Sequence, residues 1–133
     1  MLSPMNTIKI LAVDDDVFNL DIMSEYLTLA GFEVVAADDG DIALRKLEDN
    51  PDIAVIILDR MMPRMGGMEV LRRVKTDPRF CNVPVLMQTA VTSPGRKFEA
   101  INAGVFRYLT KPYEDMVLIS QVREAVVECN KKA

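Results

Sequence analysis

Short apolar segments recur along the chain, and polar or turn-forming residues end each of them. The segments are rich in β-branched residues and are too short for typical helices, so they predict strands. We place five strands, at residues 8–13, 33–37, 54–58, 84–88 and 105–109.

A second pattern, with apolar residues spaced three or four apart, fills the intervals between these strands and predicts one helix after each. Leu20, Met23, Leu27 and Ala30 form the first apolar stripe, and Gly31 ends that helix. Ser93 and Pro94 are a typical helix start, and the helix they open includes Phe98 and Ile101 and ends at Gly104. The remaining three stripes are Ala43, Leu44 and Leu47, then Val70, Leu71 and Val74, and finally Leu118, Ile119, Val122, Ala125, Val126 and Cys129.

Alternating strands and helices are typical of a parallel sheet covered by helices on both faces. With right-handed crossovers, the pattern predicts a doubly wound (βα)5 α/β fold. The 133 residues are half hydrophobic and 27% charged, which fits one domain over residues 1–133. We expect its ends, residues 1–7 and 130–133, to be flexible.

Charge and composition exclude several classes of function. The formal net charge is −4 and no basic run stands out, which argues against direct binding to nucleic acid. The longest apolar run, near residues 55–58, is far shorter than a membrane span of about 20 residues. We therefore expect a protein that contacts neither nucleic acid nor membrane.

The chain has no histidine, which excludes Ser-His-Asp and Cys-His catalysis, histidine-bearing zinc sites and a phosphohistidine carrier. The two cysteines, Cys81 and Cys129, lack CxxC spacing, and the N-terminal residues do not follow the pattern of a signal peptide. We expect free thiols and a cytoplasmic location.

Polar residues follow the carboxyl ends of four predicted strands, the edge where open α/β sheets bind ligands. The first strand is followed by Asp14, Asp15 and Asp16, the third by Asp59, the fourth by Thr89, and the fifth by Thr110 and Lys111. If the first and third strands are neighbours, several carboxylates, a hydroxyl and an ammonium group converge. Asp16 is better explained as the N-cap of the first helix than as a site residue.

Clustered carboxylates require a cation. Two of them about 4 Å apart repel by roughly 1 kcal/mol in water and by about 4 kcal/mol at an effective dielectric constant of 20. An all-oxygen site with few protein ligands favours Mg²⁺. A carboxylate beside Mg²⁺ can attack phosphorus to form an aspartyl phosphate, with Lys111 neutralising phosphoryl charge and Thr89 donating a hydrogen bond to another phosphoryl oxygen.

Four motifs together resemble the receiver domain of bacterial two-component response regulators. They are Val13-Asp14-Asp15-Asp16, the segment from Leu58-Asp59 through Gly66-Gly67, Thr89-Ala90 and Lys111-Pro112. The resemblance covers nearly the whole chain. It implies a flavodoxin-like, five-stranded parallel sheet in the order 2-1-3-4-5.

The resemblance also implies roles for individual residues. Asp59 would be the phosphoacceptor, and Mg²⁺ would be bound by Asp59, by Asp15 directly, by Asp14 mainly through a water, and by the backbone carbonyl of Met61. Lys111 would pair with the phosphoryl group, and its peptide bond to Pro112 would be cis. The resemblance further implies a switch in which Thr89 moves toward the phosphoryl oxygen and the Tyr108 ring turns inward.

Two positions depart from the family pattern. Gly66 stands where receivers usually carry an acidic residue, so we expect a more mobile loop after Asp59. Met61 and Val91 occupy the positions near the attacking water, and neither can orient or polarise it. We therefore expect a long-lived aspartyl phosphate.

The resemblance implies a phosphorelay protein that receives its phosphoryl group from a histidine kinase or a histidine phosphotransfer protein. A surface around helix four, strand five and helix five would then change and contact a downstream protein or effector domain. We expect a monomer or a phosphorylation-dependent homodimer. The expected activity is limited to self-phosphorylation and slow self-dephosphorylation, so the protein is not an enzyme in the usual sense.

Two alternatives come from other classes of protein. A Mg²⁺-dependent phosphohydrolase also uses a nucleophilic aspartate, but it carries a second acid two residues later, where this chain has Met61, and typically a cap domain. A binding module that works without phosphorylation would use the same helical face constitutively. The acid cluster and Lys111 argue against this second alternative.

Overall fold

A computed structural model describes residues 7–90 and 93–132 and shows five strands alternating with five helices. The elements are β1 (Lys9–Val13), α1 (Val17–Leu29), β2 (Glu33–Ala37), α2 (Gly40–Asp49), β3 (Val55–Asp59), α3 (Gly67–Thr76), β4 (Val85–Thr89), α4 (Pro94–Asn102), β5 (Arg107–Thr110) and α5 (Asp115–Lys132). All four strand pairings are parallel, and the sheet order is β2-β1-β3-β4-β5. The doubly wound fold and the strand order are confirmed.

The central strands are apolar on both faces because each face of the sheet carries its own core. In β3, Ile56 and Leu58 point toward the core under α2, α3 and α4, whereas Val55 and Ile57 point toward the core under α1 and α5. All five residues of β3 are buried. Burying apolar side chains on both faces stabilises the sheet by about 25 cal/mol per Å².

Helix boundaries agree with the capping residues that the sequence contains. Asp16 is the N-cap of α1, where its side chain accepts hydrogen bonds from the backbone N–H groups of Phe18 and Asn19. The Ser93 side chain accepts one from Arg96 N at the start of α4. Gly31 and Gly104 have φ values of +98° and +102°, a region that glycine enters readily, just beyond the ends of α1 and α4.

Strand boundaries differ from the prediction in a consistent direction. Both β3 and β4 extend one residue further, so Asp59 and Thr89 are the last residues of their strands instead of following them. The reason is backbone pairing, because Asp59 is in register with Gln88 and Thr89 with Thr110. β5 begins at Arg107, two residues later than predicted, and ends at Thr110.

Two further features concern the helices. α4 packs through Ala100, which is fully buried, while Phe98 and Ile101 are 65% and 53% exposed. α5 continues to Lys132. In the part of the chain that the structure describes, no helix is long and apolar enough to cross a membrane.

Candidate functional site

Three carboxylates meet at the carboxyl edge of the sheet. β1 and β3 are neighbours, with Val13 beside Leu58, so the residues that end these strands lie side by side. Asp14, Asp15 and Asp59 each offer an oxygen within 4.8 Å of the oxygens of the other two. Asp14 is fully buried, Asp59 is 5% exposed, and Asp15 faces solvent. The arrangement provides oxygen donors at one open corner, as a hard divalent cation requires.

Lys111 supplies a positive charge to this cluster from the end of β5. Its Nζ donates hydrogen bonds to Asp14 Oδ2 at 3.2 Å and to Asp59 Oδ1 at 3.4 Å. Its backbone N–H donates to Thr89 O at 2.8 Å, and the following peptide bond to Pro112 is cis. Burial alone would lower the pKa of Lys111, but the charges of Asp59 and Asp14 and its hydrogen bonds to them raise it. The ammonium group therefore stays charged.

Asp59 has an unusual proton affinity for an aspartate. Burial, together with the charges of Asp14 and Asp15, raises its pKa to about 7, although Lys111 acts in the opposite direction. One ammonium group thus does not balance three nearby carboxylates. A divalent cation at this corner would favour the ionised form of Asp59, which is the nucleophilic form.

Asp14 is held by three hydrogen bonds. Asp16 N donates to Asp14 Oδ1 at 2.9 Å, while Gln88 Nε2 and Lys111 Nζ each donate to Oδ2 at 3.2 Å. The other end of the Gln88 amide, Oε1, accepts a hydrogen bond from the Tyr113 hydroxyl. Sequence reasoning missed both Gln88 and Tyr113. A glutamine directly after the three apolar residues that begin β4 was the available signal, because a buried amide needs partners.

The other predicted site residues lie around this edge. Thr89 is fully buried at the end of β4, and Tyr108 is half-buried in β5 against the core under α2, α3 and α4. The Tyr108 hydroxyl is buried and has no hydrogen-bond partner within the described residues. Met61 is 53% exposed, and its sulfur contacts Arg96. Val91 lies outside the described residues.

The β3–α3 loop, residues 60–66, is held to its surroundings at both ends. Gly67 N donates to Arg60 O at 2.9 Å, and a Cβ on Gly67 would lie 2.3 Å from Asp59 O. Arg64, at φ +63°, forms an ion pair with Asp39, the N-cap of α2. Gly66 is the N-cap of α3 and provides no side-chain cap. The loop mobility expected from Gly66 stays a prediction.

A cavity of about 390 Å³ opens beside the acid cluster, between α1 and the start of α5. Asp14, Gln88, Lys111 and Tyr113 contribute to its wall, and Tyr26 lines it from α1. The cavity therefore lies directly beside Asp14, Gln88 and Tyr113.

Comparison of the sequence with known proteins identifies a family and several relatives. The protein-family model that describes the response regulator receiver domain matches residues 10–123. The chain is 40% identical over 116 residues to the response regulator PleD of Caulobacter vibrioides, covering 86% of this chain and 25% of PleD. It is 36% identical over 111 residues to the chemotaxis protein CheY1 of Helicobacter pylori, covering 83% of this chain and 90% of CheY1.

Solved structures agree with the sequence comparison. Vibrio cholerae chemotaxis protein CheY4 superimposes with a TM-score of 0.84 at 35% identity, over 90% of this chain and 98% of CheY4. A CheY-like receiver domain protein from Methanospirillum hungatei gives a TM-score of 0.88 at 28% identity, over 96% of this chain and all of that one. The chain spans only a quarter of PleD but nearly all of CheY1.

Receiver domains of response regulators are signalling modules of two-component systems and not classical enzymes, and this family generally binds Mg²⁺ at an acidic pocket. In this chain, Asp14, Asp15 and Asp59 form an acidic cluster. On the family match, the fold and this cluster, the chain belongs to the response regulator receiver domains.

Proposed function

We propose that Asp59 accepts a phosphoryl group from the phosphohistidine of a histidine kinase or a histidine phosphotransfer protein in a Mg²⁺-dependent reaction. The observation that carries this proposal is the position of Asp59. Its carboxylate lies within 4.8 Å of the oxygens of Asp14 and Asp15 and 3.4 Å from Lys111 Nζ. An aspartate next to a cation-binding pair and a fixed ammonium group has the surroundings that phosphoryl transfer needs.

In the proposed reaction, Asp59 Oδ attacks phosphorus and the P–N bond to the donor imidazole breaks. The bonding electrons leave with the imidazole nitrogen, and the product is an acyl phosphate on Asp59. Lys111 neutralises charge on the phosphoryl oxygens, and Thr89 donates a hydrogen bond to one of them. Asp14, Asp15, Asp59 and the Met61 backbone carbonyl would hold Mg²⁺, which supplies charge neutralisation for the incoming phosphoryl group.

The proposed output is a change in the surface formed by α4, β5 and α5, transmitted through Thr89 and Tyr108. Apolar side chains exposed on α4 and α5 support a protein partner at this surface: Phe98, Ile101, Met116, Val117 and Val127. The partner would be a downstream protein, an effector domain or a second copy of the chain, and nucleic acid is not a direct partner. The cytoplasmic location expected from the sequence stays a prediction.

The test is intact mass after incubation with a small phosphodonor and Mg²⁺. We expect one added phosphoryl group on the wild type, none on Asp59→Asn and none without the metal. Asp52→Asn, which removes a carboxylate that contacts Lys9 far from the cluster, is the matched control and should be phosphorylated normally. No adduct on folded wild type in rapid-quench samples would overturn the proposal.

The same two proteins, the wild type and Asp59→Asn, distinguish a phosphohydrolase from a binding module that works without phosphorylation. Turnover of a generic phosphate ester by the wild type but not by Asp59→Asn would indicate a phosphohydrolase. Equal partner affinity for the wild type and Asp59→Asn, with and without phosphodonor, would indicate a binding module that does not depend on phosphorylation.

A further inference from the structure

Two polar residues, the buried Gln88 and the partly buried Tyr113, form a series of hydrogen bonds that ends on Asp14. Gln88 is 1% exposed, although its neighbours in β4 include the fully buried Leu86 and Met87. Burying an amide among apolar side chains costs free energy unless its hydrogen bonds are made. Both ends of the Gln88 amide are used, since Nε2 donates to Asp14 and Oε1 accepts from Tyr113.

The hydrogen bonds that link Tyr113, Gln88 and Asp14 can run in only one direction, from the Tyr113 hydroxyl toward Asp14. The Asp14 carboxylate already accepts hydrogen bonds from Asp16 N and Lys111 Nζ, so the NH₂ end of the Gln88 amide faces it as a third donor. The carbonyl end then faces Tyr113 and requires a donor there. Burial, with the charges of Asp14 and Asp59, raises the pKa of Tyr113, so its hydroxyl keeps the proton that it donates.

We propose that Gln88 and Tyr113 are positioning residues that fix the Asp14 carboxylate for Mg²⁺ binding: Tyr113 anchors the carbonyl end of the Gln88 amide, and the NH₂ end of that amide holds Asp14 Oδ2. This inference rests on the proposed function, because it requires the acid cluster to bind Mg²⁺. Residues that hold a metal ligand from behind typically change metal affinity by about 10- to 100-fold when removed.

The geometry explains how Tyr113 acts without touching the cluster. With Tyr113→Phe, the ring still fills its position beside Gln88, but the carbonyl end of the buried Gln88 amide loses its hydrogen-bond donor. An amide without that anchor can rotate toward the adjoining cavity, which weakens the hydrogen bond from Nε2 to Asp14 Oδ2. The carboxylate is then held mainly by Lys111 and Asp16 N, so it spends less time in the orientation that binds the cation.

The experiment measures Mg²⁺ affinity by isothermal titration calorimetry on the unphosphorylated protein, with no phosphodonor present. The variants are Gln88→Met, which keeps an unbranched chain of similar size, Tyr113→Phe and the double variant. Tyr26→Phe is the matched control, because it removes a hydroxyl from the wall of the same cavity without touching Gln88. Unfolding in urea and circular dichroism establish that each variant is folded.

We expect the Mg²⁺ dissociation constant to rise about tenfold in Gln88→Met and at least threefold in Tyr113→Phe, and to stay unchanged in Tyr26→Phe. The double variant should match Gln88→Met, since Tyr113 acts only through Gln88. The rate of phosphorylation should fall in parallel at limiting Mg²⁺ and recover at saturating Mg²⁺.

A purely structural role predicts a different result. In that case Gln88→Met and Tyr113→Phe would lower the free energy of unfolding but leave the Mg²⁺ dissociation constant within twofold of the wild type. That outcome overturns the proposal. The proposal is also overturned if the effects of the two substitutions on the Mg²⁺ binding free energy add up in the double variant. If Gln88→Met does not fold, the Mg²⁺ dissociation constant of Tyr113→Phe alone tests the proposal. Failure of the wild type to form a phosphoryl adduct while the Mg²⁺ affinities change as expected would count against the phosphoacceptor function and not against the positioning role.

Discussion

Arg60, the residue after Asp59, donates a hydrogen bond to the Glu99 carboxylate on α4, 39 positions away in the chain. Only 7% of the Arg60 side chain is exposed, and a second guanidinium nitrogen donates to Arg96 O at 2.7 Å. The β3–α3 loop is therefore tied directly to α4. Removing one partner of such a pair is costly because the other charge stays buried without compensation.

We expect Glu99→Gln to lower the free energy of unfolding by about 1–2 kcal/mol, less than for a fully buried pair because half of the Glu99 side chain is exposed. Glu69→Gln is the matched control, since Glu69 pairs with Arg73 on the surface of α3. That exposed pair should contribute less than about 0.5 kcal/mol. Urea unfolding of both variants measures the difference, and equal effects would contradict the prediction.

The raised pKa of Asp59 makes stability depend on pH when no metal is bound. Between the unfolded pKa of 3.8 and the folded value of about 7, the folded protein holds a proton on Asp59 that the unfolded chain has released. Stability therefore falls as the pH rises through this range and stays low above it.

Asp59→Asn removes this contribution, so the variant should gain stability relative to the wild type on going from about pH 5 to about pH 8, on the order of 2 kcal/mol. Urea unfolding in a metal chelator measures this difference. Saturating Mg²⁺ should stabilise the wild type and reduce the gap, because the cation favours the ionised carboxylate. A gap that does not change with pH would show that the pKa of Asp59 is ordinary.

Gly67 and Gly66 differ sharply in the space around them. A Cβ on Gly67 would lie 2.3 Å from Asp59 O, whereas a Cβ on Gly66 would have Arg60 O as its nearest contact, at 3.5 Å. Gly67→Ala should lower the free energy of unfolding by more than about 3 kcal/mol, because backbone must move. Gly66, at φ −73°, has room for alanine, so Gly66→Ala should change the free energy of unfolding by less than about 1 kcal/mol, because the lower entropy of the unfolded chain offsets the poorer N-cap. Similar urea midpoints for the two variants would contradict this account.

The aspartyl phosphate should be long-lived because the exposed Met61 side chain beside the site cannot orient water. We expect a half-life of minutes or longer, and a shorter one in Met61→Asn, whose amide can hydrogen-bond to water. Met116→Asn, an equivalent change on the exposed face of α5, should leave the half-life unchanged. Intact mass followed over time after removal of the phosphodonor provides the measurement. A half-life of seconds in the wild type without a phosphatase would refute the expectation.

The sequence by itself determined the alternation of strands and helices, because burial on both faces of a parallel sheet and on one face of each helix imposes a periodic pattern. It also determined the polar residues at the strand ends, since those positions follow from where each apolar run stops. Asp14, Asp15, Asp59 and Lys111 were predicted in this way, and the structure brings them together.

Tertiary structure decided the contacts between residues that are distant in the chain. The pairing of Gln88 with Asp14 and Tyr113, and of Arg60 with Glu99, depends on which elements lie next to each other and on how far each side chain reaches. The pKa of Asp59 was equally inaccessible to the sequence, because it depends on burial and on the distances to three other charges. A local pattern records which face of an element is buried, whereas hydrogen bonding and electrostatics depend on distances that only the folded chain defines.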